Sequence, residues 1–181
     1  MTLRDYFFFT FVREPVSRFY ASYAQKLRRG GTAESLYPGL RARFEAASEQ
    51  GRRDMMLETL QSLESGRCHE DIHFESQSMS LSTPLHNGYA LPIDFIGDLD
   101  NLGADFALML RRAANKTGIG HSAQVLRRAQ QLLEVNTDAT QHPITAEIEP
   151  MVKTLRNDAL DERIRAVYTQ DVACFGVERT F

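Results

Sequence analysis

The run Tyr6-Phe7-Phe8-Phe9-Thr10-Phe11-Val12 is unbroken aromatic and β-branched chain, and Arg13-Glu14-Pro15 follows it at once. Alternation of apolar and polar residues would mark a half-exposed strand. This run has none, so it predicts a central strand of a parallel sheet, covered on both faces. Pro15 then predicts a helix start, because proline at the first turn lacks only an N–H that has no partner there. Val16, Phe19, Tyr20, Tyr23 and Leu27 follow at helical spacing and form one apolar stripe, which Gly30-Gly31 ends.

Helices are predicted over residues 36–48 and 53–64, with Gly51 breaking between them. Residues 66–92 shift to Ser, His, Gly and Pro without helical period, the pattern of a functional or mobile loop. A strand is predicted over residues 93–96, parallel to the first and ending in Gly97. Further helices are predicted from Asn101 onward with Leu102, Phe106, Met109, Leu110 and Ala113 inward, over residues 123–134, and over residues 147–170. Strand–helix, loop, strand–helix and then helices is a helix-rich α/β pattern with a parallel sheet.

The chain has 181 residues, the size of a single domain able to bury a core without disulfides or metals. Its 43% hydrophobic and 25% charged content excludes a disordered or fibrous chain. A net charge of -3 gives no global attraction to nucleic acid or to an anionic membrane, so an anion site must be local. No segment is long and apolar enough to span a membrane, and the N-terminal run lacks the basic flank of a signal peptide, so the chain reads as soluble. Cys68 and Cys174 show no zinc-ligand spacing, and no metal is expected. Whether the two are bonded to each other stays open.

The chemistry points to Arg13. A strand that ends in arginine delivers a guanidinium to the carboxyl edge of a sheet, where open α/β sheets bind ligands. The helix that starts at Pro15 adds N–H groups favourable to an anion. Glu14 is placed to pair with Arg18 one turn on, leaving Arg13 for a ligand, with Arg18 and Ser22 at the rim. The competing reading makes Arg13 a structural ion-pair residue. His73 sits in the loop beside Glu70, Asp71 and Glu75 and is a candidate base or substrate contact, against the alternative of a solvated loop histidine. Asp94 and Asp98 read as supports of the strand–helix turn.

Phe11-Val12-Arg13-Glu14-Pro15-Val16-Ser17-Arg18-Phe19-Tyr20-Ala21-Ser22-Tyr23 resembles the 3′-phosphate-binding segment of the Golgi carbohydrate sulfotransferases (sulfotransferase family 2 type), an apolar strand followed by Arg-x-Pro-x-x-Arg, Ser and an aromatic. Three later stretches fit in order. His73-Phe74-Glu75-Ser76-Gln77 resembles an His-x-x-x-Gln element. The stretch from Asp94 to Phe106 resembles a strand–helix junction of the form FIGxxExLxxD, and the stretch from Val167 to Gly176 a closing YxxDxxxFGY.

The resemblance implies a P-loop-like nucleotide-binding sulfotransferase fold. It also implies transfer of a sulfuryl group from 3′-phosphoadenosine 5′-phosphosulfate (PAPS) to a carbohydrate hydroxyl, in the Golgi lumen or at its membrane. Arg13 and Ser22 would hold the 3′-phosphate; the acceptor sugar, the catalytic base and the oligomeric state are not given.

Two departures stand out. The family's serine falls on Ala21 here and Ser22 follows it, which turns the hydroxyl by ~100° and moves it ~1.5 Å along a helix. The family's 5′-phosphosulfate loop, a strand, a Gly/Ser/Thr-rich turn and a Lys, has no counterpart before Tyr6. The chain is therefore expected to be N-terminally incomplete and inactive as it stands. The alternative is a non-catalytic remnant that keeps a 3′-phosphonucleotide half-site or serves as an interaction module.

Overall fold

The structure, a computed structural model, describes residues 6–28, 39–65, 74–82, 92–117 and 150–175, with residues 131 and 148. In chain order these form strand β1 (Phe9–Val12), helices α1 (Pro15–Arg28), α2 (Leu40–Ala46), α3 (Glu49–Glu64) and α4 (Gln77–Ser82), strand β2 (Phe95–Asp98), a 3-10 turn (Leu99–Asn101), and helices α5 (Leu102–Thr117), α6 (Asp158–Val167) and α7 (Thr169–Phe175). The chain divides into two compact units. A sheet unit comprises Met1–Arg13 and Met79–Thr140, and a helical unit comprises Glu14–Ser78 and Gln141–Phe181. The helix predicted over residues 123–134 lies outside the described residues.

In the sheet unit β1 and β2 pair in parallel, Phe9 opposite Phe95 and Val12 opposite Asp98, as the two apolar runs predict. The strand is shorter than the run, and among the described residues the sheet has two strands. The expected covering of both faces is not found: Val12 is buried, but Phe9 is 49% exposed and Tyr6 is exposed too. Among the described residues, α5 is a helix that packs on the sheet. Phe11 packs against Phe95 and stacks on Phe106 of α5, ring centroids 6.2 Å apart in both pairs. Met109 of α5 is buried as its place in the stripe predicts.

Gly97 has a steric reason to be glycine. It lies opposite Phe11, and a Cβ placed on it would come within 2.5 Å of the Phe11 ring and 2.9 Å of the Phe95 ring. The Phe11 ring therefore occupies the space of the missing side chain.

The helical unit has its core along α1. Val16, Phe19, Tyr23 and Leu27 are buried, packed with Phe44 of α2, Met56 and Leu60 of α3, and Leu160 and Ile164 of α6. Phe19 also meets the Phe74 ring at 5.6 Å. At the far end of α3, Arg163 of α6 donates to both carboxylate oxygens of Glu64 at 3.1 and 3.0 Å.

Two helix boundaries differ from expectation. Gly51 does not break the chain but lies in the first turn of α3, where its N–H donates to Ser48 Oγ at 3.2 Å. Ser48 is the N-cap, and a glycine in the first turn costs little when its N–H is already used. The helix expected over residues 147–170 is interrupted before α6, where Asn157 leaves helical geometry and accepts from Leu160 N at 3.0 Å. An asparagine cap can start a new helix inside an apolar period that otherwise runs on.

Gly97→Ala should lower stability by about 1–3 kcal/mol, the usual cost of overpacking, because the Phe11 ring must leave its place between Phe95 and Phe106. Urea unfolding of the variant against the parent chain reads this directly, and an unchanged midpoint would show that the ring shifts freely.

Candidate functional site

The carboxyl ends of β1 and β2 are level, since Val12 pairs with Asp98. Arg13 leaves the first strand there, and the turn after the second brings Asp100 to it. Arg13 Nε lies 3.7 Å from Asp100 Oδ1, with the two side chains 35% and 53% exposed. Hydrogen bonds build that turn. Asp98 Oδ1 accepts from Asp100 N at 2.8 Å, Asp98 N donates to Asp105 Oδ2 at 2.6 Å, and Asn101 Nδ2 donates to Asp105 Oδ1 at 3.1 Å. Asp98 thus supports the strand–helix turn, as expected.

At the opposite end of the strand pair Asp94 accepts from Phe8 N at 2.9 Å and from Lys116 Nζ at 2.6 and 2.7 Å. Donation by Lys116, then by Phe8 N, holds the Asp94 carboxyl below its usual range. This carboxylate is a staple joining the first strand to α5.

In the helical unit the first turn of α1 carries an anion of its own. Glu14 Oε2 accepts from Ser17 N at 2.7 Å. Glu14 therefore does not reach for Arg18 as the one-turn spacing suggests; it caps the helix, in the place where a bound anion was expected to gain from the helix N-terminus. Arg18 turns elsewhere. Its Nη2 donates to the carbonyl of Glu75, its Nη1 lies 3.7 Å from Asp171 Oδ2, and its guanidinium stands over the Tyr168 ring at 5.9 Å. Burial lowers the Arg18 pKa from its ordinary value, against the raising influence of Tyr168, Asp171 and Glu75.

Asp171 is the centre of this cluster. Its side chain has 0% exposure. It accepts from Ser76 Oγ at 2.6 Å, Gln77 N at 2.9 Å, Ser78 N at 2.8 Å and Ser78 Oγ at 2.7 Å. Burial pushes its carboxyl upward, but these bonds from Ser76, Ser78 and Gln77 outweigh burial and hold it below its ordinary value. Beside it, Tyr168 donates to the carbonyl of Phe74 at 2.8 Å.

A family model described as "Sulfotransferase family" matches residues 1–177 of the chain. The chain belongs to that family. No curated protein and no solved structure matches it.

Membership gives the sequence motifs of this sulfotransferase-family chain a common frame, and the structure sorts their residues by task. Arg18 of the first motif, the segment 74–77 of the second, and Tyr168 and Asp171 of the last converge on one buried clamp. Asp105 of the strand–helix motif holds a turn. Of the residues singled out for binding, Arg13 belongs to the sheet unit and Ser22 to the helical unit, where Ser22 is buried in α1. His73 and Cys68 lie outside the described residues, and Cys174 is exposed. Among the described residues no group of His, Cys, Asp and Glu could hold a metal ion, and no helix is long and apolar enough to cross a membrane. In the sequence Tyr168 and Asp171 stand out only as parts of a motif. The signal that could have found their role is an acidic residue on the inner face of a C-terminal helix, which needs a buried partner.

Asp171→Asn should cost roughly 3–5 kcal/mol at neutral pH, because Arg18 then stays buried without its counter-charge. The parent chain should also be the more acid-sensitive of the two. A folded pKa below the unfolded one means that the carboxylate's contribution is fully present above the unfolded value of about 3.9 and is lost as pH falls through the folded value. Denaturant unfolding as a function of pH should give a steeper loss below about pH 4 for the parent than for the variant.

Proposed function

We propose that this chain is of the PAPS-dependent type that sulfates a carbohydrate hydroxyl, and that its own part in that reaction, even where the chain by itself transfers no sulfate, is the grip of Arg13 on the 3′-phosphate of the nucleotide. The observation that carries this reading is the position of Arg13, which follows directly on a parallel strand whose carboxyl end is level with that of its neighbour. That edge is where α/β sheets present ligands. The guanidinium is partly exposed, and the group it faces at 3.7 Å is a carboxylate, an anion in the place that a phosphate would have to take. Arginine can meet phosphate through two parallel N–H bonds, which a lysine cannot do.

Ser22, by resemblance, adds a hydroxyl to the same phosphate. By the same resemblance the family's serine falls on Ala21, so a hydroxyl at position 21 would serve the phosphate better than the one at Ser22. Sulfuryl transfer is an in-line displacement. The acceptor hydroxyl gives up its proton to a base that no residue is yet assigned to, its oxygen bonds to sulfur as the bond from sulfur to the 5′-phosphate oxygen breaks, and adenosine 3′,5′-bisphosphate leaves. In that reaction Arg13 serves binding and orientation, holding the end of the nucleotide remote from the reacting sulfur. Golgi location and a lumenal or membrane-bound setting accompany this reading through the family resemblance.

Calorimetry with adenosine 3′,5′-bisphosphate and with adenosine 5′-monophosphate tests it. The bisphosphate should bind more tightly. Arg13→Ala should abolish that preference, and Ala21→Ser should tighten bisphosphate binding by about tenfold, the lower end of what a hydrogen bond to a charged group contributes. Equal affinity of the parent and Arg13→Ala would make Arg13 a structural ion-pair residue and overturn the reading.

A further inference from the structure

Arg13 and Arg18 belong to one Arg-x-Pro-x-x-Arg motif, yet their counter-ions are held in opposite ways. Asp171, the partner of Arg18, is fully buried and fixed by four hydrogen bonds from the segment 76–78. Asp100, the partner of Arg13, is 53% exposed, and the pair at 3.7 Å is longer than a hydrogen bond. The Asp100 end of the pair is half in water, so its carboxylate can leave at little cost, although Arg13 Nε, the atom that faces it, is itself buried. The pair is nonetheless no accident of a mobile side chain. The backbone of Asp100 is held by Asp98 Oδ1, Asp98 is in turn held by Asp105, and the register of β1 and β2 brings the turn beside Arg13.

We infer that Asp100 is a built-in competitor for phosphate, a carboxylate that occupies Arg13 until a more highly charged anion displaces it. The inference rests on the reading of Arg13 as the 3′-phosphate grip and adds a residue that sets the affinity of that grip. A monoanion that replaces Asp100 exchanges one negative charge for another. A phosphate monoester carries about -1.5 to -2 at neutral pH and gains by the exchange. Asp100 therefore favours a terminal phosphate over singly charged groups such as carboxylates and sulfate esters. It acts through Arg13 and touches no reacting atom.

The test is a double-mutant cycle in calorimetry, with adenosine 3′,5′-bisphosphate as ligand and the full chain, Asp100→Asn, Arg13→Ala and the double variant as receptors. Asp100→Asn removes the charge and keeps the size. It should tighten binding by about 3- to 10-fold, the effect of removing one partly screened charge close to the ligand. The gain should vanish in the Arg13→Ala background. Sodium acetate, which returns a carboxylate from solution, should weaken binding by Asp100→Asn and leave the parent unchanged at the same ionic strength.

If Arg13→Ala loses binding while Asp100→Asn binds like the parent or more weakly, the grip stands but Asp100 orients Arg13 instead of competing for its ligand, and the inference falls. If Arg13→Ala binds like the parent, the grip itself is wrong and the inference falls with it. If the parent shows no measurable binding, its appearance in Asp100→Asn supports the competitor, and its absence there overturns both.

Discussion

The helical unit is organised above all by the buried negative charge of Asp171. A carboxylate taken wholly out of water is costly, and the cost is met only when its lone pairs are filled and a counter-charge is near. Asp171 meets both conditions: two hydroxyls and two backbone N–H groups donate to it, and Arg18 stands beside it. The consequence is topological. Residues 76–78 have no sequence proximity to α7, and Arg18 comes from a helix near the start of the chain, yet all must be in place together. The segment that carries the His-x-x-x-Gln element is thereby fixed at its C-terminal end, and Tyr168 donating to Phe74 fixes it a second time. A second buried carboxylate repeats the device on the same helix bundle. Asp161 accepts from Tyr20 at 3.0 Å and from Arg156 at 2.8 Å, so α1 and α6 are joined by polar as well as apolar contact.

Much of this fold was legible in the chain. The apolar stripe of α1 is buried residue for residue from Val16 to Leu27, because helical spacing leaves a 14-residue helix only one way to place five large side chains. The parallel pairing of the two strands was legible too, from two apolar runs each followed by a helix start. What the run at residues 6–12 could not reveal is how much of it would be covered. Apolar character on both faces states a demand for cover, and how many strands and helices meet it is decided elsewhere in the chain. The helix boundaries failed for a local reason. Gly51 looks like a breaker by intrinsic propensity, and Asn157 is one polar residue inside an apolar period, whereas Ser48 and Asn157 use their side chains as caps, and a cap decides a boundary more strongly than a single glycine does.

The site was legible in part, and the boundary between the two parts is physical. The Arg-x-Pro-x-x-Arg pattern identifies two cations one helical turn and a strand end apart, but says nothing of which carboxylate each will meet. Those partners lie far along the chain, at Asp100 and Asp171. The expected pairing of Glu14 with Arg18 followed from i, i+4 spacing, which governs isolated helices. In the folded chain Glu14 is drawn to the first-turn N–H of Ser17, because that group has no other partner within the helix. Local rules lose to tertiary ones wherever burial changes the value of a charge.

That same principle separates the two arginines. A guanidinium whose counter-ion is buried is structural, since any ligand that displaced the carboxylate would leave it desolvated and alone. A guanidinium whose counter-ion is exposed can exchange it, because the released carboxylate returns to water at little cost. Arg18 is of the first kind and Arg13 of the second, and the difference lies in Asp171 and Asp100 far more than in the arginines themselves. Within a motif of six residues, then, one end is tied to a buried carboxylate inside the helical unit and the other to a carboxylate half in water.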